Sequence, residues 1–108
     1  MKILKSEQYT KDYKKKICKV HKYDEMERIR NIEELIIDSN NLKDLIENPL
    51  AIVYHIEKKK GNLKEIYTAR VNGKIRLYMK PCGEYPYDRI EITSIEFIKI
   101  DDRHYNEG

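Results

Sequence analysis

The chain has 108 residues, with 22 Lys and Arg against 19 Asp and Glu and a formal net charge of +3. That length makes one domain, residues 1–108, which can close a single modest core and has little room for a deep internal cofactor pocket. No apolar run reaches the roughly 20 residues that cross a bilayer, and Met1-Lys2-Ile3-Leu4-Lys5 is too short for the apolar region of a signal peptide, so the expected location is the cytosol. Cys18 and Cys82 stand apart with no CxxC, and His21, His55 and His104 form no HExxH or HxH pattern. Free thiols, no metal and no cofactor are expected.

Lys2-Ile3-Leu4 reads as a short edge strand. From Ser6 the pattern turns helical: Tyr9, Tyr13, Ile17 and Val20 recur on one stripe, Ser6 is a good N-cap, and Lys11, Lys14, Lys15 and Lys22 take the opposite face. Tyr23-Asp24 breaks this pattern, and Asp24 with Glu27 reads as a capping box opening a second helix to about Asp38. Met26, Ile29, Ile32, Leu35 and Ile36 make its buried stripe. Ser39-Asn40-Asn41 ends it, and a short helical turn from Leu42 to Ile46 stops at Asn48-Pro49. Two amphipathic helices with short connections predict a helical hairpin.

The period then changes to two. Residues 50–56 are mixed and Lys58-Lys59-Lys60-Gly61-Asn62 reads as a turn. Residues 66–72 and 75–80 alternate around Asn72-Gly73, the strongest short-range hairpin signal. A second loop, Pro81-Cys82-Gly83-Glu84-Tyr85-Pro86, leads to a long last strand over 89–100, apolar enough around Ile95-Phe97-Ile98 to be central and buried on both faces, with a bulge near Thr93-Ser94 where its alternation slips. The predicted class is α+β: an N-terminal helical hairpin packed on a small, mainly antiparallel sheet of three to four strands. Alternation puts Tyr67, Ala69, Val71, Ile75, Leu77 and Met79 on the core face, which leaves Thr68, Arg70, Arg76, Tyr78 and Lys80 together on the open face.

The charge is segregated. Residues 1–23 carry eight basic and two acidic side chains, 24–50 three and eight, 51–80 eight and two, and 81–108 three and seven. Two basic blocks read as a surface for a polyanion, because contacts to several phosphates add and release counterions. An open face with Arg70, Arg76, Tyr78 and Lys80, beside a lysine-rich loop, has the chemistry of a phosphate and base reader. Three residues from the C-terminus the last strand runs into Asp101-Asp102-Arg103-His104-Tyr105. Imidazole and guanidinium are what phosphodiester chemistry asks for: proton transfer, and neutralisation of a phosphate that gains charge.

Two helices, a Gly/Lys loop, a hairpin with Arg on its second strand and a last strand ending in His-Tyr resemble the RelE/ParE superfamily of bacterial type II toxins. Gln8-Tyr9-Thr10-Lys11-Asp12-Tyr13-Lys14-Lys15 is similar to the opening of RelE-like toxins including the YafQ group. Asn62-Leu63, Ile66-Tyr67-Thr68-Ala69-Arg70-Val71 and Ile75-Arg76-Leu77-Tyr78 look like the YoeB group, although Glu65 stands where the family often has Gly. The resemblance covers nearly the whole chain and implies a ribosome-dependent mRNA endonuclease in which the RNA 2′-hydroxyl attacks its adjacent phosphate without metal. It implies roles for Arg76 in stabilising the phosphorane, His104 as general acid, Tyr105 in orienting the phosphate or stacking on a base, and Glu57 as general base. Arg70, Lys58, Lys59, Lys60, Lys64 and Lys80 would be RNA contacts, the partners being mRNA on the ribosome, 16S ribosomal RNA and a cognate antitoxin. The alternatives are a ParE-like inhibitor of DNA gyrase and a non-catalytic homologue that only binds its antitoxin.

Overall fold

A computed structural model describes residues 1–20 and 22–102; His21, His104 and Tyr105 lie outside the described residues. The elements are β1 (Lys2–Lys5), α1 (Glu7–Asp12) running on as a π-helical turn (Tyr13–Cys18), α2 (Tyr23–Asp38), α3 (Leu42–Glu47), α4 (Pro49–Val53), β2 (Glu57–Lys58), β3 (Tyr67–Arg70), β4 (Arg76–Pro81) and β5 (Ser94–Asp101). The strands form a five-stranded sheet in the order β1-β5-β4-β3-β2. β1 runs parallel to β5 and the other pairs are antiparallel. The count exceeds the three to four strands expected because Glu57, assigned to no element, and Lys58, read as the start of a turn, pair with Thr68 and Tyr67.

Periodicity accounts for most of the core. Tyr9 and Ile17 from the first helix and Ile29, Ile32, Leu35 and Ile36 from α2 pack against Ala69, Leu77, Met79, Ile95, Phe97 and Ile100 of the sheet. Each such aliphatic or aromatic side chain taken fully out of water contributes about 1.5–3 kcal/mol. Phe97 at the centre meets Tyr9 edge-on, with ring centroids 5.3 Å apart. Ser6 caps α1 as expected, its Oγ accepting from the Tyr9 amide at 3.0 Å. Asn41 and Asn48 cap α3 and α4 in the same way.

Several expectations are corrected. Val20 is 53% exposed, not on the buried stripe. The Tyr13–Cys18 segment closes on the wider i→i+5 pattern, with the Lys19 amide donating to the Lys14 carbonyl, and this turns the following residues off the 3.6-residue period. Asp24 does not cap α2. The helix begins at Tyr23 behind Lys22, which makes no side-chain cap, so Asp24 sits in the first turn where its charge meets the positive end of the helix dipole. Asn72-Gly73 lies inside a wider loop between Arg70 and Arg76, where Asn72 Oδ1 accepts from the Lys74 and Ile75 amides, both at 2.8 Å. β5 starts at Ser94, not 89, because residues before it are held in a turn by Asp88. Its bulge falls opposite Tyr78 and Met79, at Ile98 rather than near Thr93-Ser94. β5 is central, but Ile95, Phe97 and Ile100 are buried while Glu96, Ile98 and Lys99 are only half-buried, so one of its faces is the sheet's open side.

Candidate nucleic-acid interface and active site

Strand register sorts the open face into rows. Arg70, Arg76 and Asp101 stand side by side across β3, β4 and β5. Beneath them Glu57, Thr68, Tyr78 and Lys99 form a row across β2, β3, β4 and β5. Lys80 and Glu96 begin a third. The sequence placed Arg70, Arg76, Tyr78 and Lys80 on this face correctly, but not how deep they sit. Tyr78 is 6% exposed and Arg76 8%. Long side chains roof the face: the Lys99 ammonium lies 4.6 Å and that of Lys59 6.0 Å from the Tyr78 ring centroid. Cations over a buried phenol ring are held by its quadrupole.

Arg76 is fixed from behind. Its Nη1 donates to the Asn72 carbonyl at 2.6 Å and to the Ile75 carbonyl at 3.2 Å, so the β3–β4 loop orients the guanidinium. The same loop is tied to α2, because the Asn72 amide donates to Glu25 Oε2 at 2.8 Å. That hydrogen bond holds the Glu25 carboxyl below the usual carboxylate range. Arg70 faces Arg76 across the strands, and Asp101 stands on the other side of Arg76 in the same row. The Arg70 Nε is buried and has no hydrogen-bond partner among the described residues. The Arg70 backbone is anchored, its amide donating to the Tyr54 carbonyl and its carbonyl accepting from Arg28 Nε at 2.9 Å.

Alternation along β2 divides the lysine cluster. Glu57 pairs with Thr68 and shares the open face, whereas Lys58 pairs with Tyr67 and points to the other face. There its Nζ donates to the Tyr85 hydroxyl at 2.9 Å, and Lys64 Nζ lies 5.3 Å from the Tyr85 ring centroid. The 81–88 loop is thus pinned to the lysine loop. Tyr87 adds a second tie, its hydroxyl donating to the Glu65 carbonyl at 2.7 Å. Burial, with the Glu65 charge adding, pushes the Tyr87 phenol up to about 12. Lys60 is exposed in the turn, and Gly61 with φ at 66° takes the left-handed conformation that glycine adopts without strain. Lys80 reaches Glu65 at 3.8 Å. Of the basic residues singled out in the sequence, Lys59, Arg70, Arg76 and Lys80 therefore gather on the open side, and Lys58 and Lys64 around Tyr85. Glu57 is exposed at the opposite end of the Tyr78 row from Lys99.

Sequence reasoning passed over the residues that set where β5 ends. Past Lys5 the strand β1 is finished, and the bulge at Ile98 breaks the ladder, so backbone groups on that edge of β5 need other partners. Ser6 Oγ donates to the Ile98 carbonyl at 2.6 Å, and Asp12 Oδ2 accepts from the Ile100 amide at 3.0 Å. Asp12 is 6% exposed and its other oxygen accepts from Gln8 Nε2. Lys16 Nζ donates to the Ile100 carbonyl at 2.9 Å and lies 3.6 Å from Asp102 Oδ1. A signal for Asp12 existed: it falls three residues after Tyr9, on the buried stripe, where a carboxylate requires a donor. Lys99 and Asp101 were missed because the bulge shifts the alternation that would have placed them. Among the described residues no three His, Cys, Asp or Glu side chains come together as a metal site, and no helix is long and apolar enough to cross a membrane.

No family model matches the sequence and no curated protein matches it. Solved structures do. YafQ from E. coli superposes with a TM-score of 0.67 at 23% identity, covering 98% of this chain and 97% of that one. YafQ in the E. coli DinJ-YafQ complex gives 0.65 at 23% identity over 98% and 97%. A YoeB/ParE toxin from Agrobacterium tumefaciens gives 0.60 at 16% identity over 95% and 99%. The resemblance carried by the sequence motifs thus holds at the level of architecture, and the chain has the RelE/ParE-like toxin fold over nearly its whole length.

Proposed function

We propose that this protein is the toxin of a type II toxin–antitoxin pair and acts as a ribosome-dependent mRNA endonuclease. The observation that carries this reading is the Arg70–Arg76 row: two arginines opposite one another in the strand register on the open face, with the Arg70 Nε buried and unpartnered among the described residues. A dry donor without a partner is costly, and a phosphate oxygen entering the row would satisfy it. In the proposed reaction the RNA 2′-oxygen forms a bond to the adjacent phosphorus, the bond to the 5′-oxygen breaks, and a 2′,3′-cyclic phosphate and a 5′-hydroxyl result. Glu57 takes the 2′-hydroxyl proton and His104 gives one to the leaving oxygen. Arg76 meets the charge that builds on the phosphorane, and Tyr105 orients the phosphate or stacks on a base. Arg70, Lys59 and Lys80 hold flanking phosphates on the open face, and Lys58, Lys60 and Lys64 contact RNA around the lysine loop. The reaction as written needs no metal.

The likeness to YafQ, which is described in an E. coli DinJ-YafQ toxin-antitoxin complex, supports an antitoxin as partner. An acidic antitoxin segment laid over the open face would neutralise it. The test is a single-turnover assay on programmed ribosomes. Wild-type protein should cut the message to a cyclic phosphate end, and a 2′-deoxy substitution at the scissile nucleotide should abolish cutting. Intact mRNA together with loss of supercoiling by DNA gyrase would replace this reading with gyrase inhibition. Intact mRNA and unaffected gyrase, with antitoxin still bound, would leave a non-catalytic homologue.

A further inference from the structure

Both backbone groups of Arg70 are held from outside the sheet. The chain passes from α4 to β2 through a Schellman-type helix end. The His55 amide donates to the Ile52 carbonyl at 3.1 Å and the Ile56 amide to the Ala51 carbonyl at 2.8 Å, with His55 in the left-handed conformation at φ 50°. That pattern leaves the Val53 and Tyr54 carbonyls to find other donors. Arg70 donates its amide to the Tyr54 carbonyl at 2.8 Å, and Arg28 of α2 donates Nη2 to the Val53 carbonyl at 3.0 Å. The same Arg28 guanidinium donates Nε to the Arg70 carbonyl at 2.9 Å and lies over the Tyr54 ring, 4.7 Å from its centroid. The outer edge of β3 is thus continued past β2, whose pairing stops at Thr68, by Tyr54 and Arg28. With its amide and carbonyl turned away from β4, Arg70 makes a non-hydrogen-bonded pair with Arg76, while the next residue, Val71, donates its amide to the Ile75 carbonyl at 3.0 Å. Side chains stand closest in pairs of that kind, with Cα atoms about 4.5 Å apart.

We propose that Arg28 is a positioning residue for Arg70. Its forked guanidinium joins the end of α4 to the end of β3 and holds Arg70 beside Arg76 at the spacing that takes up a phosphate; it acts through Arg70 and not by touching RNA. The proposal rests on the reading of that row as an RNA site for its effect on binding, but not for its effect on the strand end. A residue that acts only through Arg70 has nothing left to lose once the Arg70 side chain is gone, so the test is a double-mutant cycle with a short single-stranded RNA as probe. Arg70→Ala should weaken binding by about ten-fold and Arg28→Met by about five-fold, and the double variant should be no more than about two-fold weaker than Arg70→Ala alone. Arg28→Lys keeps the charge but reaches one carbonyl at a time, so it should bind about two- to three-fold less tightly than wild type. Should Arg28→Met unfold, Arg28→Lys takes its place in the cycle. In parallel, hydrogen exchange at the Arg70 amide should be about ten-fold faster in Arg28→Met than in wild type, while amides of β5 stay unchanged. Losses that multiply to about 50-fold in the double variant, or an Arg28→Lys protein identical to wild type in binding and exchange, overturn the positioning role. If wild-type protein binds no RNA, or Arg70→Ala binds it as well as wild type does, the reading of the row fails by itself, and exchange then decides this proposal: unaltered protection of the Arg70 amide sinks it, and faster exchange there supports it.

Discussion

At the scale of single residues, Arg76 shows how a buried charge is held by backbone carbonyls. Arg76 is almost fully buried and oriented by the Asn72 and Ile75 carbonyls. On the proposed nuclease reading, Arg76→Ala should cost on the order of 100-fold or more in single-turnover cleavage, with binding of message-loaded ribosomes little altered, because an anion-stabilising donor acts mainly in the transition state. A loss that appears in binding alone would demote Arg76 to an RNA contact. Glu25 makes a separate, pH-dependent prediction. The Asn72 amide favours its ionised form, so its folded pKa lies below the unfolded value. Its contribution to stability is full above the unfolded carboxylate value and is lost as pH falls through the folded one. Glu25→Gln should therefore melt below wild type at neutral pH, and the two should converge as pH falls through the folded value of Glu25. A constant difference across that range would show that the charge is not involved.

At the scale of elements, β5 is the member whose position depends most on the rest of the chain. Its inner edge pairs with β4, while its outer edge changes partner midway, from β1 to the side chains of Ser6, Asp12 and Lys16. Asp12→Ala leaves the buried Ile100 amide without an acceptor and should destabilise the fold by about 2 kcal/mol in denaturant unfolding, whereas Asp12→Asn, which keeps an oxygen in place, should lose less. Equal losses would mean that the carboxylate is there for charge and not for its hydrogen bond. Little of this edge could be read from the sequence. The Tyr9, Ile17 and Phe97 positions announce a helix on a strand, but a bulge moves two residues against one, and no local pattern says which backbone groups it strands. The β2 strand was illegible for a related reason. Two residues carry no period, and Glu57 and Lys58 become a strand only because β3 offers them a free edge.

For the whole molecule, charge segregation in the chain becomes segregation in space only in part. The basic stretch 51–80 splits between the open face, with Lys59, Arg70, Arg76 and Lys80, and the Tyr85 side, with Lys58 and Lys64. If the open face tracks a phosphate backbone, binding of a short single-stranded RNA should weaken with salt, and Lys59→Ala or Lys80→Ala should each flatten the slope of log K against log salt by about 0.7. Substitutions at Lys58 should flatten it less, since Lys58 points to the opposite face of the sheet. Equal slopes for Lys58 and Lys59 variants would contradict the division of the cluster.

The sequence by itself determined the class of fold, the helical stripes, the hairpin and the common face of Arg70, Arg76, Tyr78 and Lys80. These follow from periods of 3.6 and 2 that each segment carries within itself. The motif order also pointed to the RelE/ParE-like fold without help from the coordinates. Only the tertiary structure decided the parallel pairing of β1 with β5, the fifth strand at Glu57–Lys58, the bulge at Ile98 and the Asp12–Lys16 grip on Ile100. Each of these joins residues far apart in the chain, and the partner of a stranded backbone amide or a buried carboxylate is fixed by which elements meet in space, not by the residues beside it in the sequence.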